Sequence, residues 1–251
     1  MEFDEEEEEN ILPHLGYRDI FYGIGLAFAG IVVALILSSL AIAILFRGQT
    51  LRSNEISWLG AILEIVIYAG AGAGVAVLVK LRLQNKWTEL GFRPTSFPWL
   101  FWAAVAAPVV AFGIGSLTSL LAAVSHQNAG VQACMIQSNY GGAPILATIA
   151  IAVVAPIVEE TFFRGVIFGA LRQRWSLWPA LFVSALIFAA AHAISLGGSV
   201  LVLAPELFVL GCALAWLRER SKSLYPGMMM HGTFNLLGAI AIFAGSSACH
   251  P

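Results

Sequence analysis

The sequence predicts an all-α fold, a polytopic transmembrane helical bundle of about seven spans. Three observations carry this. Of 251 residues, 59% are hydrophobic and 11% are charged, with a mean hydropathy of +0.84, a balance foreign to soluble domains. The apolar residues fall into seven runs, 20–46, 57–81, 99–124, 143–172, 177–195, 198–217 and 226–246. Each run is near or above the roughly 20 residues that a tilted helix needs to cross a bilayer. The basic residues are also distributed unevenly between the connectors. With the N-terminus in the cytoplasm, the inner connectors hold ten (Arg18, Lys80, Arg82, Lys86, Arg93, Arg172, Arg174, Arg218, Arg220, Lys222) and the outer ones two, Arg47 and Arg52. That asymmetry orients a membrane protein. The expected topology is N-terminus inside and C-terminus outside, and the expected setting is a bacterial inner membrane.

In chain order, residues 1–19 form an acidic tail in which Glu2 and Asp4 through Glu9 concentrate the negative charge. Such a tail is solvated, and it does not open with the basic segment of a secretory signal. With a net charge of −2 and no basic stripe, the chain has no footing for nucleic acid. Residues 20–142 make an N-terminal transmembrane region. Its second connector carries Glu89-Leu-Gly-Phe-Arg93 between Trp87 and Trp99, an interfacial stretch with aromatic anchors. The connector Ser125 to Gly142 is polar and without formal charge, and it reads as an outside loop. Residues 143–246 make the second region. Its runs 177–195 and 198–217 are parted by Gly197 and Gly198, so they form either two helices or one broken element. Of the three cysteines, Cys134 and Cys249 are both expected outside and are candidates for a disulfide, and none of the three has the spacing of a zinc site.

The second region is organised around Pro156-Ile-Val-Glu159-Glu160-Thr-Phe-Phe-Arg164-Gly165. An ionisable side chain inside a membrane costs about 2.5–3.5 kcal/mol even on lenient insertion scales, so such residues mark functional sites. Glu160 and Arg164 stand at i and i+4, acid before base, the favourable order for a pair on one helical face. Glu159 is turned by about 100° from its neighbour and is left for chemistry. Pro156 removes a backbone donor and frees a carbonyl. Further spans contribute His192 and then His231 with Asn235 one turn on. Counted from the cytoplasmic helix ends, Glu159 and His192 lie about 20 Å deep, Asn235 about 14 Å and His231 about 7 Å. The four polar groups are thus expected to meet in the inner half of the membrane. Glu64 and Glu206 are isolated in their spans and read as hydrogen-bonded structural acids.

A carboxylate beside a histidine can activate water, and a histidine with an asparagine can donate to an oxyanion. That combination points to a hydrolase. The only aspartates, Asp4 and Asp19, precede the first span, which excludes an intramembrane aspartyl dyad. Neither H-E-x-x-H nor G-x-S-x-G occurs. Ser184, near His192, is an alternative nucleophile that would leave the acidic pair unexplained. A non-catalytic membrane scaffold and a proton-coupled transporter remain alternatives, the latter disfavoured by the lack of visible repeats.

Glu159-Glu160-Thr-Phe-Phe-Arg164-Gly165, Phe188-Ala-Ala-Ala-His192 and His231-Gly-Thr-Phe-Asn235 resemble the successive motifs of the CPBP (Abi) family. Its members are intramembrane proteases that include the type II CAAX prenyl endopeptidases. The resemblance runs from Pro144 to Leu237. It implies a peptidase for a membrane-associated or lipidated peptide or protein, with a cavity open to the cytoplasm. By motif, Glu159 would activate water with help from His192, His231 and Asn235 would bind the oxyanion, and Glu160 and Arg164 would support the site. No cofactor is favoured, although Glu159, His192 and His231 could hold a zinc ion. The same family also implies the alternative of a bacteriocin-immunity-type regulator.

Overall fold

The computed structural model describes residues 15–47, 49–125, 131–196 and 200–245. The acidic stretch up to Glu9, the Gly197-Gly198 break and Cys249, with its expected disulfide, lie outside them.

Within the described residues all seven predicted runs form helices, and no strand occurs. The first three are α1 (Tyr17–Leu45), α2 (Ser53–Leu83) and α3 (Phe97–Ser125). A shorter α4 (Val131–Tyr140) follows, in the connector expected to be loop only. The second region contains α5 (Pro144–Arg172), α6 (Leu177–Leu196), α7 (Val200–Ser221) and α8 (Tyr225–Ala244). Five of these, α1, α2, α3, α5 and α8, are long and apolar enough to cross a membrane, and α6 adds a shorter apolar stretch, Leu177–His192. Helix α7 carries Pro205 and Glu206 and ends on Arg218, Glu219 and Arg220, which lowers its hydropathy.

Without lipid-excluded surface to bury, helices in a membrane associate through close packing. Helices α1 and α2 do so at Gly30 and Gly70, where a Cβ on either would collide with the other's backbone carbonyl. The large aliphatic and aromatic residues of α1 and α3, such as Phe28, Ile36 and Phe112, point outward to where lipid would be. Helix α5 is the axis, with Phe163, Val166, Ile167 and Phe168 buried against its neighbours.

At the basic end, a single turn at Trp87–Leu90 turns the connector inward rather than leaving it on the surface. Leu90 is fully buried, the Leu224 amide donates to Gly91 O, and Ser223 Oγ donates to Arg93 O. Gly91 adopts φ +105, and a Cβ there would meet the Arg218 guanidinium. Glu89-Leu-Gly-Phe-Arg93 thus clamps the turn between α7 and α8.

Candidate active site

Helix α5 is not a uniform α-helix. π-helical turns at Ala150–Val154 and Thr161–Phe168 flank the α-helical Ala155–Glu160. Such widened turns concentrate at functional sites because they leave backbone groups unpaired. In the register of the first π turn, the residue at position 156 would donate to Ile151 O, and Pro156 has no N–H to give. The Ile151 carbonyl instead accepts from Asn235 Nδ2 at 2.9 Å. The carbonyl freed by Pro156 therefore positions Asn235 across the α5–α8 contact. One amide hydrogen of Asn235 is fixed in this way, and the second remains for another acceptor.

The two adjacent glutamates diverge. Glu160 Oε1 accepts from Arg164 Nη1 at 2.9 Å and faces His231 Nδ1 at 3.0 Å. Arg164, 0% exposed, also donates to Gly211 O and lies 4.4 Å from the Phe188 ring centroid. Gly227 lets α8 approach, since a Cβ there would come within 2.9 Å of Glu160 Oε2. The pair inferred from the i, i+4 spacing therefore exists, and it is locked among four helices.

Glu159 is 8% exposed and points the other way. Its Oε1 accepts from the Tyr68 hydroxyl at 2.6 Å. Its Oε2 is buried and accepts no hydrogen bond among the described residues. That oxygen lies 3.6 Å from His192 Nε2 and 3.7 Å from His231 Nε2, beyond direct hydrogen-bonding reach. His192 Nδ1 faces Phe188 O at 2.8 Å, and His231 Nδ1 faces the Glu160 carboxylate. Both Nδ1 atoms point at acceptors and so carry the proton, which leaves each Nε2 to address the space beside Glu159.

These groups line a cavity of about 440 Å³ together with Glu64, Tyr140, Glu206 and Asn235. It brings together Glu159, His192, His231 and Asn235, while Glu160 and Arg164 stand behind its wall. His231 reaches Glu159 despite the depth reckoned from helix ends, because α8 begins at a connector drawn into the bundle at Leu224. From His231 the lining continues along α8 to Ile242 and onto α4 at Ile136 and Tyr140. The cavity thus extends away from the basic end that Leu90 and Leu224 close. In the topology that the basic residues predict, this is the outer half, opposite to the inner half expected.

Ser184 is 1% exposed, directs its hydroxyl towards Phe163 O and does not line the cavity. Glu64 and Glu206 do line it, with Tyr140 and Thr118 as their hydroxyl partners. Tyr68 and Tyr140 went unseen in the sequence, where a tyrosine in or beside an apolar run resembles an interfacial anchor. The one available signal was the i, i+4 spacing of Glu64 and Tyr68 on α2.

The donor chemistry of Glu159, His192 and His231 would suit zinc, and Glu159 Oε2 faces the two Nε2 atoms at 3.6 and 3.7 Å. No step below is routed through a metal.

Residues 141–237 match the family model described as type II CAAX prenyl endopeptidase Rce1-like. Over 98 residues the chain is 36% identical to an uncharacterized 24.3 kDa protein of Escherichia coli, an alignment covering 38% of this chain and 44% of that protein. No solved structure matches the chain.

Proposed function

From the match of residues 141–237 to the type II CAAX prenyl endopeptidase family model, we propose that the protein is an intramembrane endopeptidase. Its substrate is a membrane-associated or lipidated peptide or protein, and its nucleophile is a water molecule activated by Glu159. The observation that carries this reading is Glu159 Oε2, a buried carboxylate oxygen without a hydrogen bond, faced by two histidine Nε2 atoms at 3.6 and 3.7 Å. A water admitted beside that oxygen would meet all three groups.

Tyr68 holds Oε1, so the basic lone pair of Glu159 is directed at that water. Glu159 takes a proton as the water oxygen attacks the peptide carbonyl, and His192 orients the attack. The negative charge that develops on the carbonyl oxygen is met by His231 and by the second amide hydrogen of Asn235. Donors of this kind contribute about 2.7–4 kcal/mol each to the transition state. Glu159 then passes its proton to the leaving nitrogen, the C–N bond breaks, and a carboxylate and an amine are released. Glu160 and Arg164 do not touch the substrate. They hold His231 by Nδ1, which fixes the nitrogen it presents.

The test is cleavage of a quenched fluorescent peptide library by the detergent-solubilised full chain, comparing wild type with Glu159→Gln, each with and without a strong chelator. Activity absent in the variant and kept with chelator supports the reading. Wild-type activity lost to chelator would replace it with the zinc alternative. A folded protein that cleaves nothing would favour the non-catalytic scaffold.

A further inference from the structure

Two carboxylates of the cavity take no part in this chemistry. Glu64, on α2, accepts one hydrogen bond, from the Tyr140 hydroxyl at 3.2 Å. Glu206, on α7, accepts one, from Thr118 Oγ1 at 2.8 Å. In each, the second carboxylate oxygen has no partner among the described residues. Among the described residues no lysine or arginine lines the cavity, and Arg164, the buried cation nearby, is engaged by Glu160 on the far side of α5. A hydroxyl stabilises a carboxylate far less than a cation does, so acids in a membrane interior are normally paired. The cavity holds a third such oxygen, Glu159 Oε2, unpartnered on a residue only 8% exposed. Three acidic side chains thus line one cavity with two histidines and, among the described residues, no fixed cation.

We propose that this cavity selects a substrate carrying a cationic group, a lysine or arginine side chain or a free α-ammonium, which pairs with Glu64 and Glu206 beside the scissile bond. The spacing limits where that group lies. Glu64 stands one helical turn from Tyr68 on α2, and the Tyr68 hydroxyl holds Glu159, so the cation shares the cavity of the reacting groups. An extended peptide advances about 3.3 Å per residue, and a cavity of about 440 Å³ takes only a short stretch of it, which places the charge close to the cleaved bond. Since the lining runs from Glu159 to α4, the cationic residue lies on the α4 side, with Tyr140 and Asn139 as neutral polar neighbours. The supply of such a substrate falls to peptides or protein termini with a basic residue close to the membrane.

This inference rests on the peptidase reading, and the experiment separates the two. Quenched peptides that differ only in lysine against Nε-acetyl-lysine, scanned through each position, are cleaved by full-length wild type, Glu64→Gln and Glu206→Gln in detergent. The readout is the ratio of kcat/KM for lysine over acetyl-lysine. In wild type that ratio is expected to exceed about tenfold at one position close to the cut, and to fall towards one in the variants, as suits loss of a charged hydrogen bond. Cleavage with a wild-type ratio near one at every position overturns the proposal, as does a ratio that both variants leave unchanged. If a variant fails to fold, the wild-type ratio alone still decides. If wild type cleaves nothing, the peptidase reading falls, and binding of the same peptide pair to wild type, read as a thermal shift, decides the proposal: a preference for lysine supports it, and equal shifts overturn it.

Discussion

Glu159 and Glu160 are adjacent in sequence, yet the two faces of α5 give them opposite surroundings. On the rear face, Glu160 is matched by Arg164 and His231 in a dry contact among four helices. On the cavity face, Glu159 has one oxygen held by Tyr68 and the other left without a donor. The comparison teaches that a doubled acid in a membrane can be one anchor and one reagent. Pairing Glu160 Oε1 with both Arg164 and His231 fixes His231, whereas leaving one oxygen of Glu159 open gives a site for a proton. His231 joins the faces, since its two ring nitrogens address the two carboxylates.

The sharpest way to break the comparison is to remove one charge from each face. Glu159→Gln should lower kcat by about 10³-fold or more, in line with loss of a general base, while its melting temperature stays within a few degrees of wild type. Arg164→Leu should act on the other face. Removing one partner of a buried pair costs about 3–5 kcal/mol, so this variant should be poorly recovered from membranes or melt far lower in detergent. If Arg164→Leu were stable and only slow, or Glu159→Gln unfolded, the division of roles would be wrong.

Smaller effects sharpen it. Tyr68→Phe removes the hydrogen bond to Oε1 without opening a large cavity, and should lower kcat by about tenfold or somewhat more with little change in KM, since a hydrogen bond to a charged group is worth about 1.5–3 kcal/mol. Asn235→Ala should cost both an oxyanion donor and the contact to Ile151 O. Pro156→Ala restores the missing N–H, which can compete for that carbonyl and free the Asn235 side chain. A loss of severalfold in kcat with retained stability is the expected result, measured by kinetics and thermal melting on the same preparations.

Much of the bundle was legible because hydrocarbon solvent imposes a plain rule: apolar runs of sufficient length become helices. The Glu160–Arg164 pair was legible because the i, i+4 spacing fixes a shared face. Glu159, His192, His231 and Asn235 stood out as costly polar groups, and their convergence is a matter of helix faces. The π turns of α5 were not legible, since no residue type specifies them and packing against α8 decides the register. Helix α4 was missed because its polar composition lacks a periodic apolar stripe, and its place is set by Tyr140 reaching Glu64. Depth counted from helix ends misjudged His231, because the start of α8 is set by the Leu90 and Leu224 clamp and not by the membrane surface.

The most direct test of the central claim, that Glu159 activates water and does not itself attack, is a single-turnover cleavage in ¹⁸O-labelled water with enzyme in excess over peptide. The account predicts that the new carboxylate of the N-terminal fragment carries one solvent ¹⁸O in the first turnover, that Glu159 remains unlabelled and that no covalent adduct is detected by mass spectrometry. A first-turnover product without the label, with ¹⁸O found instead in the Glu159 carboxylate, would show direct attack by the side chain and contradict the account.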